Sequence, residues 1–116
     1  MLVSSDGRSW GLPGGRPEGD EDWRATLDRE VLEEACARVE TASLLGFSRG
    51  LYTKGREEDL VLVRALWLAC VALDPWQPAH EIKHRLLVPS DEALARIDLP
   101  DGQLPIYQRW FDEAAT

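Results

Sequence analysis

Residues Leu12 to Val39 read LPGGRPEGDEDWRATLDREVLEEACARV, a glycine-containing loop that opens into a helix with carboxylates along one side. On a helix at about 100° per residue, with Leu27 set at zero, Leu27, Val31, Ala35, Val39, Leu32 and Cys36 fall in an arc from roughly 0° to 180°. Glu33, Glu30 and Glu34 fall at roughly 240°, 300° and 340°. One side therefore faces a core, the other is acid, and the apolar arc carries the helix as far as Val39. Asp22 is placed to cap it, because a short carboxylate accepts from the free N–H groups of a first turn and suits the positive end of the helix dipole.

Glu30 and Glu34 stand four apart and repel by a few tenths of a kcal/mol, so the acid face is a small structural cost that something should offset. Solvation of an exposed face is the ordinary answer. A divalent cation is the other, because hard oxygen ligands suit Mg²⁺ or Mn²⁺, and Mg²⁺ is usually held by a few carboxylates with water and substrate phosphate.

The upstream spacing decides between them. Gly15, then Glu21 after five residues, then Arg29-Glu30 after seven, followed by Val31 and Glu33-Glu34, resembles the Nudix box, G-x5-E-x7-R-E-U-x-E-E-x-G-U, where U is a bulky aliphatic residue. At average residue usage the fixed positions match by chance on the order of 10⁻⁷ to 10⁻⁸ per start site. The chain departs from the box at its end, where Cys36 stands for the last Gly and Ala37 for the last aliphatic residue. Cys36 lies at the edge of the apolar arc, where a small buried thiol is physically tolerable.

Gly14 and Gly15 after Pro13 permit a tight loop with positive φ, or close approach of the backbone to a phosphate. The resemblance implies that Arg29 forms a salt bridge to Glu21, bracing the loop against the helix, a job suited to a bidentate guanidinium. It further implies that Glu30, Glu33 and Glu34 carry the metal, Mg²⁺ or Mn²⁺, and that the activity is hydrolysis of a nucleoside diphosphate linked to another group. Charge neutralisation of a pyrophosphate, a positioned water and a base are what such chemistry requires. Glu33, Glu34 and Glu81 are the candidates for the base. The alternative is a Nudix-like domain that senses a nucleotide or binds a protein partner without hydrolysis. Retention of Arg29 and all three glutamates argues against it, since such a domain has no chemical need for every acid.

The chain has 116 residues, enough for one domain around a single core. Its formal charge of −8, from 21 acidic and 13 basic residues, argues against nonspecific binding to nucleic acid polymers or an anionic membrane surface. A nucleotide-type small molecule remains compatible, because a cation and a few arginines can neutralise a pyrophosphate. Two cysteines, Cys36 and Cys70, with no CXXC spacing and no secretory segment, read as reduced thiols of a cytoplasmic protein. The longest apolar run, Leu60 to Leu73, is interrupted by Arg64 and is too short for a membrane helix.

Only MLVSS precedes the Asp6-Gly7 turn signal, whereas Nudix proteins normally carry a longer strand pair before the box. The chain thus reads as short at its N-terminus, and an unpaired sheet edge there favours a homodimer.

Downstream, Ser43 to Tyr52 reads as a strand with a glycine-permitted bend, Lys54 to Asp59 as a polar turn, and Leu60 to Leu73 as a strand buried on both faces. Arg64 in that strand needs a partner, either an acidic side chain or a phosphate, and joins Gly14 and Gly15 as a candidate ligand contact. The prolines of Asp74 to Pro78 mark a loop leading to Ala79-His80-Glu81 and a strand over Ile82 to Val88. Nudix hydrolases often have a Glu in this connection, and Glu81 matches it. His80 and His84 have a spacing that would suit zinc on a helix, but the surrounding residues are strand-like and no third ligand is near. Trp76 either covers a core edge or stacks on a base. Ser90 to Ile97 and Leu104 to Ala115 read as helices. Together these give a Nudix-like α/β/α sandwich with a mixed sheet between helices.

Overall fold

A computed structural model of the chain describes residues 1–52, 60–99 and 102–115. The helix of the carboxylates, α1, spans Trp23–Ala35. Asp22 caps it in an extended conformation, accepting the Ala25 N–H at 2.8 Å. Helix α1 stops earlier than the apolar arc suggests. Cys36 takes a left-handed conformation, φ 51° and ψ 49°, while its N–H donates to the Leu32 carbonyl at 3.2 Å. Helices often end with such a residue, usually glycine, and this is the position where the box motif has Gly. Cys36 is half-buried, with its thiol donating to the Gln77 carbonyl at 3.6 Å. It is a helix terminator rather than a member of the core arc.

The chain turns at once into β2 (Ala37–Tyr52), which pairs antiparallel with β3 (Leu60–Leu73) from Ala37↔Leu73 to Tyr52↔Leu60. Val39, expected on the helix, is a strand residue opposite Val71. The register slips between Val39 and Thr41 and again between Leu44 and Gly46; such bulges bend a strand and increase its twist. The second falls at Gly46, one of the two glycines in the stretch expected to bend, where a Cβ would lie 2.8 Å from Trp110 Nε1. The polar turn expected over Lys54 to Asp59 falls outside the described residues.

Two clusters sit on opposite faces of this hairpin. Val71 packs with Val31 and Ala35 of α1, and with Val3 and Ala37. Leu66, on the opposite face because the separation from Val71 is odd, packs with Tyr107 and Trp110 of α3 (Leu104–Ala115), joined by Leu94 of α2 (Ser90–Arg96). Helices therefore cover both sides of the strands, the α/β layering expected from the sequence. β3 is less buried than its composition suggests: Leu68 and Leu73 are each 46% exposed. Between them on the strand, Cys70 is exposed too.

The remaining strands lie near the N-terminus. β1 (Leu2–Ser4) pairs antiparallel with β4 (His84–Leu86). Val3 also makes an antiparallel bridge to Gly11, and Trp10 a parallel bridge to Ile97, so strand pairing of both senses is present. β4 is shorter than the expected Ile82 to Val88 because its partner supplies only three residues. No helix among the described residues is long and apolar enough to cross a membrane.

Candidate functional site

The loop before α1 and the acid face of α1 are joined by two contacts. The Gly14 N–H donates to Glu34 Oε1 at 2.7 Å. Gly15 approaches Glu30 so closely that a Cβ would lie 2.5 Å from its Oε1. Neither glycine has a positive φ; Gly19, at 56°, takes the left-handed turn of this loop instead. Gly15 thus owes its identity to the space that the Glu30 carboxylate occupies, and not to backbone handedness.

Arg29 is the hub. Its Nε and Nη2 donate to the two oxygens of Glu21 at 2.7 and 3.1 Å, a bidentate pair. Nη2 also donates to the Arg16 carbonyl at 2.9 Å, fixing the loop, while Nη1 donates to Glu30 Oε1 at 2.6 Å and Glu33 Oε2 at 3.2 Å. One guanidinium therefore braces the loop and holds two of the acid-face carboxylates. The Arg29 bonds, followed by the Glu18 N–H, hold the Glu21 carboxyl below its ordinary pKa. Glu21, and then Glu30, push the Arg29 pKa up against the opposing effect of burial.

Glu34 responds in the other direction. Burial raises its pKa, and the charges of Glu30, Glu33 and Glu81 add to that, with only the Gly14 N–H opposing. Glu81 enters because the 74–83 loop folds back over the helix. An open cavity of about 520 Å³ is lined by Glu18, Arg29, Glu30, Glu33 and Glu34 on one side and by His80, Glu81 and Ile82 on the other. Five carboxylates thus face one guanidinium, a strongly negative field that favours a cation. Among the described residues, no three His, Cys, Asp or Glu groups converge closely enough to grip a metal ion as they stand.

Of the residues singled out in the sequence, Gly14, Gly15, Arg29, Glu30, Glu33, Glu34 and Glu81 come together here. Arg64 does not: it lies on β3 opposite Ser48, exposed, and among the described residues it meets neither an acidic partner nor the cavity. His84 sits on β4 with its ring 6.4 Å from that of Trp10, away from His80 on the cavity wall. Trp76 lies under the Arg85 guanidinium, 5.2 Å from ring centroid to Cζ. Glu18 carries no distinguishing signal in the sequence, and His80 only its spacing to His84; each becomes a wall residue only when its loop folds.

A family model of the NUDIX domain matches residues 2–110. The chain belongs to the Nudix family. The match extends well past the box and takes in β1, the long hairpin, β4, α2 and most of α3. No curated protein matches the chain. Nudix membership supports pyrophosphohydrolase-type chemistry in general, with divalent metals and nucleotide-type substrates as the family's usual materials.

Proposed function

We propose that this Nudix chain is a metal-dependent hydrolase that cleaves the pyrophosphate of a nucleoside diphosphate linked to another moiety, such as a nucleotide sugar, ADP-ribose or a nucleoside triphosphate. The observation that carries the reading is the meeting of Glu30, Glu33 and Glu34 with Glu81 around one cavity, with the Gly14-Gly15 loop held against two of them. An all-oxygen donor set in a field short of positive charge fits Mg²⁺ or Mn²⁺. Glu30, Glu33 and Glu34 are the residues that would hold it. The bound cation would neutralise the pyrophosphate and lower the pKa of the attacking water.

The chain's own residues divide the remaining work. Arg29, fixed by Glu21 and the Arg16 carbonyl, keeps the loop at a constant distance from α1 and sets the resting positions of Glu30 and Glu33. Glu34 stays aligned by the Gly14 N–H. Glu81 alone of the four glutamates has no hydrogen bond or ion pair with the described residues, which leaves its oxygens available to take a proton from water. We therefore assign it the role of base, ahead of Glu33 and Glu34.

Glu33→Gln and Glu34→Gln each remove a charged ligand without changing shape, and should abolish turnover while the fold survives. Full turnover in both would refute the reading, and nucleotide affinity independent of Mg²⁺ with no product would favour a sensing domain. We also infer a homodimer, supported by a hairpin that leaves Leu44, Leu68 and Leu73 each 46% exposed and whose two strands pair only with each other among the described strands. Sedimentation equilibrium tests this, and a monomer at micromolar concentration contradicts it.

A further inference from the structure

Arg85, which neither the box nor the proposed mechanism uses, ties β4 to the end of α1 and to the segment after β3. It stands on β4 opposite Val3 and is half-buried. Its Nη1 donates to the carbonyls of Ala35 at 2.8 Å, Asp74 at 3.2 Å and Cys36 at 3.3 Å. The first is the last residue of α1, directly after Glu34. Asp74 begins the segment that ends in His80 and Glu81. The face of the guanidinium lies over Trp76 in that same segment, a contact of cation–π type.

Two further bonds run the same way. The Asp74 N–H donates to the Cys36 carbonyl at 2.9 Å, and the Cys36 thiol to the Gln77 carbonyl at 3.6 Å. The last carbonyls of a helix have no partner within it, and a cation there also meets the negative end of the helix dipole. Arg85 satisfies both needs while gripping the loop. At the far end of the loop, the Lys83 N–H donates to the Ser4 carbonyl of β1 at 3.0 Å, and its Nζ donates to the His80 carbonyl at 2.8 Å. The segment is thus tied down on either side of Glu81, although Glu81 itself has no fastening.

We propose that Arg85 is a positioning residue: by joining the C-terminal end of α1 to the 74–83 loop, it holds Glu81 at a fixed place opposite Glu30, Glu33 and Glu34. The catalytic consequence rests on the function proposed above; the latch itself does not. Arg85→Met keeps a long apolar stem and removes every donor. Arg85→Lys restores a charged donor without the guanidinium plane.

Amide hydrogen exchange reads the latch without any substrate. In Arg85→Met the Asp74 amide, which donates to the Cys36 carbonyl at 2.9 Å, should exchange at least tenfold faster than in the parent chain, and Arg85→Lys should fall between. Unchanged exchange at this amide would overturn the proposal.

Turnover reads the consequence. Arg85→Met should lower kcat on the order of tenfold, in keeping with the sensitivity of catalysis to sub-ångström misplacement, with little change in KM. Made on top of Glu81→Gln, the same substitution should cost less than about twofold, because groups acting as a unit are not additive. Equal losses in both backgrounds would mean that Arg85 does not act through Glu81, and would overturn the positioning role. A parent chain that cleaves nothing, beside a loosened loop in Arg85→Met, would sink the proposed hydrolase and support the latch. Should Arg85→Met fail to fold, Arg85→Lys carries both comparisons.

Discussion

Gly15→Ala should leave the fold standing and disable the site. An added Cβ would lie 2.5 Å from Glu30 Oε1, 2.6 Å from Cδ and 2.9 Å from Oε2, all atoms at the end of one flexible side chain. Relief therefore comes from rotation of Glu30, with no need for the backbone to move. To reach the 3.4 Å at which ordinary contact begins, the carboxylate must retreat by about 0.9 Å from its 2.5 Å position. An off-rotamer side chain costs about 0.5–1.5 kcal/mol, which for a chain of this size lowers the melting temperature by roughly 2–6 °C. Catalysis is far less tolerant, and misplacement by ~1 Å costs on the order of 100-fold. Gly14→Ala is the internal control, since nothing lies within 4 Å of a Cβ there and the backbone φ is not left-handed. It should change stability by less than about 0.5 kcal/mol. Thermal melts, Mn²⁺ titration calorimetry and turnover on the three proteins separate the effects. Unchanged Mn²⁺ affinity and turnover in Gly15→Ala, or equal losses from Gly14→Ala, would refute the link between this glycine and Glu30.

Two further outcomes follow from the ends of α1. Cys36→Gly should stabilise the chain by about 0.5–1 kcal/mol, because the left-handed conformation costs an L-residue about 1–2 kcal/mol and the greater unfolded freedom of glycine returns only part of the gain. A lower melting temperature would show that the thiol's contact with Gln77 outweighs backbone strain. Glu34→Gln should raise the melting temperature of the chelator-treated protein at neutral pH. The raised pKa of Glu34 means that the folded chain holds this proton more tightly than the unfolded one. Its contribution to stability is therefore complete below the ordinary value of 4.5 and is lost as pH rises through the folded value. The advantage of Glu34→Gln should shrink toward zero as the pH is brought below 4.5, and a constant difference across that range would contradict the assignment.

The parts legible in the sequence are those governed by neighbours along the chain. Asp22 caps α1 because its carboxylate needs only the next three residues. The bounds of α3 and β3 follow from local periodicity and composition, and the bidentate Arg29–Glu21 pair from fixed spacing within the box. What was not legible depends on distant partners. Val39 lies on the apolar arc that suggests helix, yet pairing with Val71 of β3 makes it a strand residue. Cys36 gives no local sign of left-handed backbone, since the motif's usual signal is the glycine it lacks. β3 reads as doubly buried from composition alone, whereas the helices covering its faces reach Leu66 and Val71 but leave Leu68 half-exposed. Arg85 was silent because its three acceptors come from residues 35, 36 and 74. Arg64, expected to meet either an acidic side chain or a phosphate, has an exposed place on β3 apart from the cavity.

The central claim is that carboxylates of α1 and the 74–83 loop form one metal-dependent hydrolytic site. Its most direct test is product release from a panel of nucleoside diphosphate derivatives, assayed with Mg²⁺, with Mn²⁺ and with a chelator. Cleavage at the pyrophosphate that appears with either metal, vanishes with chelator and is lost in Glu34→Gln is the predicted result. Cleavage that persists in chelator, or that Glu34→Gln leaves intact, would contradict it.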